Sequence, residues 1–102
     1  MTSMELRAWI AIDNFPPADD DDAWTPFADA LVRRAGHLGA VLAWTGETTG
    51  EVVMSDDTTD RARLAEVAVG HVVDALHDAG LADRYPTAIV IEPVPDEEFA
   101  AA

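Results

Sequence analysis

The strongest constraint on the fold is a stretch in the middle of the chain, residues 40–55, whose pattern predicts a β-hairpin. Two apolar runs, residues 40–45 and 51–55, are joined by a polar turn that Gly46 and Gly50 bracket. Apolar runs separated by a short polar segment containing glycine are typical of hairpins. Both faces of the two runs are apolar, so alternation alone leaves open which face meets the rest of the core.

Helical patterns flank the hairpin, and a further strand pattern lies beyond each helix. Alternating apolar residues predict strands over residues 4–13 and 87–92. Apolar residues at spacings of three and four predict helices over residues 23–35 and 58–79. A glycine directly follows each predicted helix, where it favours termination.

The resulting order of strand, helix, strand, strand, helix and strand predicts an α+β fold. With right-handed crossovers it gives a ferredoxin-like βαββαβ sandwich, a four-stranded antiparallel sheet with two helices on one face. The resemblance is to a fold that hosts many unrelated functions, so it implies no activity. We expect the first and third strands to form a central, mutually parallel pair. The 102 residues fit a single domain over residues 1–95, followed by an acidic C-terminal tail over residues 96–102.

The charge balance of the chain is far from neutral. It has 20 acidic and 6 basic residues, a formal net charge of −14, and every basic residue is an arginine. A field this negative repels nucleic acid and anionic membranes, so we expect neither as a partner. It favours cations or a basic partner protein. Adaptation to high salt would give a similar excess of acidic over basic residues.

Several features bear on where the protein works. The chain has no cysteine, which excludes a disulfide framework and a thiolate metal site. No apolar run has the length of a membrane span, and the N-terminal residues lack the basic and apolar regions of a secretory signal. We therefore expect a cytoplasmic protein.

Residues 10–15 resemble the RNP2 hexamer of RNA-recognition motifs. They depart from it at Ala11, where the motif needs a stacking aromatic side chain. Residues 50–55 also lack the basic and aromatic residues of the companion RNP1 motif. We therefore expect no RNA binding.

Two acidic segments meet if the first and third strands end side by side. Asp13 and the run of residues 19–22 then lie near Asp56, Asp57 and Asp60, with the hairpin turn at the opposite end of the sheet. Carboxylate oxygens are the ligands of Ca²⁺ and Mg²⁺, so these aspartates are candidate metal ligands. The alternative is that they cap the helices and lie against their positive dipole ends. We favour capping and expect no bound metal.

His71 and Asp74 are the candidate catalytic residues, three positions apart on the second predicted helix. A carboxylate at this spacing can orient an imidazole for proton transfer. The alternative is a half-buried His71 on the core stripe with no chemical role. The chain has no glycine-rich phosphate loop, so we expect no cofactor.

The sheet face turned away from the helices is the candidate interface. Arg7 and Trp9 project away from the apolar stripe of their own strand, and either Trp44 or Val41 joins them. An exposed apolar face of this size calls for a partner, and small ferredoxin-like proteins commonly pair sheet to sheet. We predict a homodimer interface that contains Arg7, Trp9 and Trp44. The alternative is that Phe99 of the tail folds back over Trp9.

Three functions remain open, and we favour the first. It is a small acidic binding or regulatory protein that acts through protein–protein interaction as a homodimer. The second resembles small cofactor-free dimeric α+β-barrel enzymes, such as monooxygenases or isomerases, with an apolar pocket that uses Trp9, Trp44 and His71. A closed cavity beside His71 favours the enzyme, and a solid core favours the binding protein. The third is a nucleic-acid mimic, which requires carboxylates spaced like phosphates over one face.

Overall fold

The computed structural model describes residues 5–94. These residues form four strands and two α-helices, with a short 3-10 turn after the first helix. In chain order the elements are β1 (Leu6–Ile12), α1 (Asp21–Ala35), the 3-10 turn (Gly36–Leu38), β2 (Val41–Trp44), β3 (Gly50–Asp56), α2 (Arg61–Asp78) and β4 (Pro86–Pro93). The predicted acidic tail lies outside the described residues.

All four strands belong to one sheet, in the order β2-β3-β1-β4, and each neighbouring pair is antiparallel. This confirms the predicted α+β fold with a four-stranded antiparallel sheet. The prediction that β1 and β3 run parallel is wrong, because Leu6 pairs with Asp56 and Ile12 pairs with Gly50. The crossover through α1 returns the chain parallel to β1 in β2. The hairpin then reverses it, so β3 runs against β1.

The buried residues form one apolar cluster, to which one face of the sheet and both α-helices contribute. Alternate residues of β1 supply its centre, since Leu6, Ala8, Ile10 and Ile12 are all 0% exposed. The helices contribute Phe27, Ala30, Leu31, Ala35, Leu64, Ala68, Val72, Ala75 and Leu76. Every fully buried residue among those described is apolar. The alternation that predicted β1 therefore directs one face of the strand into the core and leaves the other outside.

The loop after β1 is tied to the hairpin turn. The Phe15 N–H donates to the Thr48 carbonyl over 2.8 Å. The Phe15 ring packs against Gly50, in the space that a side chain at that position would occupy. A Cβ at Gly50 would lie 2.8 Å from that ring. This contact places the hairpin turn at the same end of the sheet as the loop that leads into residues 19–22. The expected separation of the turn from that acidic run is therefore wrong.

The second helix begins and ends with conventional caps. The Asp60 side chain accepts a hydrogen bond from the Arg63 N–H over 3.0 Å at the start of α2. At its end, Gly80 has a left-handed φ of 75°, and the Leu81 N–H donates to the Leu76 carbonyl over 2.8 Å. Asp60 thus acts as a helix cap, as the capping alternative for the aspartates anticipated.

Candidate interaction face

The face of the sheet opposite the core carries an apolar row that crosses all four strands. Val53 of β3 lies opposite Trp9 of β1. On the β2 side the row continues to Val41, and on the β4 side to Val90. These two end residues are 58% and 54% exposed, whereas Trp9 and Val53 are half-buried. We define this open face by the residues Arg7, Trp9, Ala11, Val41, Ala43, Glu51, Val53, Ser55, Ala88, Val90 and Glu92.

Two flanking rows lie on either side of the apolar row. One contains Ser55, Arg7 and Glu92 in register across β3, β1 and β4. The other contains Ala43, Glu51, Ala11 and Ala88. Arg7 is the one basic residue in the four strands. Arg7 and Glu51 therefore carry opposite charges on opposite sides of the apolar row.

Contacts within the open face hold the Trp9 ring in place. Its Nε1–H donates a hydrogen bond to the Glu92 carboxylate on the neighbouring strand. The guanidinium carbon of Arg7 lies 5.5 Å from the centre of the Trp9 ring, within the range in which a cation is attracted to an aromatic face. The polar edge of the indole thus has a partner, and the ring remains half-exposed in a defined orientation.

Trp44 lies on the other side of the sheet. Its Nε1–H donates to the Pro16 carbonyl over 2.9 Å. Its ring centre is 5.1 Å from that of Trp24 and 5.9 Å from that of Phe15. Trp44 therefore belongs to an aromatic cluster beside α1. The predicted place of Trp44 on the open face beside Arg7 and Trp9 is wrong, and Val41 lies there instead.

The candidate metal ligands lie at two different ends of the sheet. Asp13 follows the end of β1, whereas Asp56 pairs with Leu6 at its start, roughly 24 Å away at about 3.4 Å per residue. Asp57 donates its N–H to Asp56 Oδ1 over 2.8 Å, and Asp60 caps α2. Within the part of the chain that the structure describes, no group of three or more metal-ligating side chains is placed to hold an ion. The expected meeting of the acidic segments is wrong because β1 and β3 run in opposite directions.

The candidate catalytic residues have separate partners. Asp74 lies beside Arg34, with Oδ2 3.6 Å from Nη1. His71 packs its ring edge-to-face against His37, with the ring centres 5.9 Å apart. This contact could not be predicted from the sequence because His37 lies in the 3-10 turn after α1, where no periodic pattern relates it to α2. Asp74 is thus part of an ion pair between the helices.

Arg34 connects the two helices. Its Nε donates to Asp78 Oδ2 over 2.8 Å, and this hydrogen bond lowers the pKa of Asp78 and raises the pKa of Arg34. Arg33 lies 3.9 Å from the same carboxylate oxygen. These side chains are all partly exposed, so solvent screens the pairs and each contributes little stability. The cluster orients α1 against α2 on the side of the molecule away from the open face.

Three clefts surround the loops at one end of the sheet. The first, of about 470 Å³, lies between residues 14–17 and Arg84. The second, of about 530 Å³, lies between Asp19 and Trp44, and the third, of about 200 Å³, adjoins the first. None of the three is lined by His71 or by a residue of the open face. The three clefts are therefore separate from His71 and from the open face, although Trp44 lines the second one.

No protein-family model matches this chain, and no curated protein matches it either. Among the described helices, none is both long and apolar enough to cross a membrane. Among the described surfaces, the open face most requires an explanation.

Proposed function

We propose that this protein is a ferredoxin-like domain that acts through protein–protein interaction and works as a homodimer joined through the open face. The element order and the strand order β2-β3-β1-β4 support the ferredoxin-like assignment. The single observation that carries the homodimer is the apolar row, whose end residues Val41 and Val90 are each more than half exposed. A contiguous exposed apolar surface rimmed by polar residues marks an interaction site.

The apolar composition of this face favours a second copy as its occupant. The chain carries −14 overall, but the open face holds only Arg7, Glu51 and Glu92 as charged residues. A basic partner gains most from the acidic surface elsewhere, not from a row of valine and tryptophan. A second copy matches apolar row with apolar row and leaves the acidic surface in solvent.

The acidic surface outside the open face supports a second contact, with a basic partner protein. Such a contact fits a regulatory or inhibitory role, in which the dimer presents two acidic surfaces. A cytoplasmic location belongs to the same proposal and rests on the sequence alone.

The enzyme alternative requires an apolar pocket between sheet and helices. Among the described residues that space is occupied by fully buried side chains, including Ile10, Phe27 and Val72, which are 0% exposed. The three clefts lie at the loop end and are not lined by His71. These observations favour binding over catalysis.

A matched pair of valine substitutions tests the proposal. Val90→Glu places a charge in the apolar row, and Val32→Glu makes the same change at a 62% exposed position on α1. Light scattering of the full chain should give a dimer for the wild type and for Val32→Glu, and a monomer for Val90→Glu. Both variants should keep the wild-type circular dichroism spectrum. A wild type that is monomeric at every concentration would overturn the proposal, as would a Val90→Glu variant that dimerises like Val32→Glu.

A further inference from the structure

We infer that the two copies stack their open faces about a two-fold axis that crosses the strands at a right angle, so that Arg7 of each copy pairs with Glu51 of the other. This rests on the proposed homodimer and deepens it by naming the contacts that set the orientation of the two sheets. In such an isologous interface each surface meets its own copy, so a single Arg–Glu pair occurs twice.

The three rows of the open face determine which residues meet. A two-fold axis across the strands makes the strands of the second copy run in the opposite direction. The apolar row then packs on the apolar row of the second copy, and the row that contains Arg7 lies over the row that contains Glu51. Arg7 then faces Ala11 of the second copy. Glu51 of that second copy lies on the neighbouring strand, one strand spacing or about 4.8 Å from its Ala11. Packed sheets lie about 10 Å apart, a gap that an extended arginine and glutamate can span together.

The other simple arrangement leaves these charges without partners. With a two-fold axis parallel to the strands, each row lies over the same row of the second copy, and β1 of one copy lies over β3 of the other. Arg7 then faces Ser55, and Glu51 faces Ala11. No opposite charges meet across that interface, so electrostatic complementarity favours the axis across the strands.

Within residues 5–94, Arg7 and Glu51 have no competing partner of opposite charge. Among the described residues, neither side chain lies within 4.0 Å of an opposite charge. The nearest acidic neighbour of Arg7 across the sheet is Glu92, whose carboxylate accepts the hydrogen bond from Trp9. The guanidinium of Arg7 lies over the Trp9 ring at the centre of the face, where a second copy can reach it.

Charge exchange tests the pairing directly. Arg7→Glu and Glu51→Arg each place like charges across the interface, so each variant alone should dimerise about tenfold more weakly than the wild type. An equal mixture of the two should restore association and form the heterodimer, because positions 7 and 51 then carry opposite charges in both of the pairs that cross the interface. The double variant Arg7→Glu/Glu51→Arg should dimerise like the wild type.

Glu51→Arg separates this pairing from general repulsion. It makes each copy two charge units less negative, so it should strengthen the dimer if overall charge alone governs association. The inference fails if Glu51→Arg dimerises more tightly than the wild type, or if the mixture associates no better than its components. Either result can occur while Val90→Glu is monomeric and the wild type dimeric, so the pairing can fail without the proposed homodimer. Circular dichroism confirms that each variant is folded.

Discussion

Trp9 donates a hydrogen bond from its indole Nε1–H to the carboxylate of Glu92, which ties the centre of β1 to the edge strand β4 on the open face. Together with the nearby guanidinium of Arg7, this bond orients the largest apolar group of the face before any partner arrives. Preorganisation of this kind reduces the entropy lost on association. The proposed interface is therefore a fixed surface, with Trp9 as its anchor.

Removing the Trp9 side chain should abolish the dimer. Trp9→Ala deletes the centre of the apolar row, and buried aromatic anchors commonly carry most of the energy of an interface. Trp24→Ala is the matched control, because Trp24 is also half-buried but packs against Trp44 beside α1. Trp24→Ala should lower the free energy of unfolding by about 2–4 kcal/mol and leave a folded dimer. If Trp9→Ala changes neither assembly nor stability, the assignment of the open face is wrong.

The dimer should become tighter as salt concentration rises. Each copy carries −14, and the repulsion between two such chains is long-ranged. The Debye length falls from about 30 Å at ~0.01 M to about 3 Å at ~1 M, so salt removes this repulsion while the apolar contact persists. Sedimentation equilibrium in a salt series measures the effect. Association that weakens steadily with salt would indicate attraction between opposite charges as the main force, as expected for a basic partner and not for a second copy.

Two glycine substitutions should have opposite effects on stability. Gly50→Ala places a Cβ 2.8 Å from the Phe15 ring, and the resulting strain should cost about 1–3 kcal/mol. Gly70→Ala lies inside α2 with no atom within 4 Å of the new Cβ, and should stabilise the protein by about 0.5–1 kcal/mol. Urea unfolding of both variants checks the pair. Equal effects would contradict the close packing of Phe15 on the hairpin.

The ion pair between Arg34 and Asp78 should make stability depend on pH in the acid range. The hydrogen bond from Arg34 lowers the pKa of Asp78 below its ordinary value of 3.8, so the folded state binds this proton more weakly than the unfolded state. The contribution of this ion pair to the free energy of unfolding is therefore present above pH 3.8 and is lost as the pH falls through the lowered pKa.

Asp78→Asn isolates that contribution. The difference in unfolding free energy between the wild type and Asp78→Asn should be constant near neutral pH and should shrink below pH 3.8. Asp29→Asn is the control, because it makes the same charge change at an exposed position of α1 outside the Arg34 cluster. If the difference in unfolding free energy stays constant as the pH falls below 3.8, the ion pair between Arg34 and Asp78 does not persist in solution.

The regular elements of this protein could be predicted from its sequence because their periodicities are strong. The alternation that buries Leu6 and Ile10 and the spacing that buries Leu64 and Val72 are each set by the local geometry of one element. Strand direction depends instead on the connections between elements. A crossover keeps the direction of the strand and a hairpin reverses it. The prediction placed Asp13 beside Asp56 because it took β1 and β3 as parallel.

The side of the sheet that each hairpin residue faces could not be predicted. Val41 and Trp44 both lie on short, apolar β2, and only the register with β3 assigns one to the open face and the other to the aromatic cluster. The contact between His37 and His71 was equally hidden, because it joins an irregular turn to a helix distant in sequence. Tertiary packing determines both, and no local pattern encodes it.

The size of the open face sets the conditions for the central measurement. The four strands contain 7, 4, 7 and 8 residues. At ~3.3 Å per residue and about 4.8 Å between strands they cover roughly 410 Å², about half of the ~800 Å² that each partner buries in a standard interface. We therefore expect a weak dimer, which must be examined over a wide range of protein concentration.

Sedimentation equilibrium of the full chain over such a range, at moderate salt, tests the central claim most directly. An isologous interface closes when two copies have met, so the average mass should rise from one chain to two and then stop. A mass of one chain at every concentration would contradict the homodimer. A mass that continues to rise beyond two chains would contradict the closed pairing of open faces.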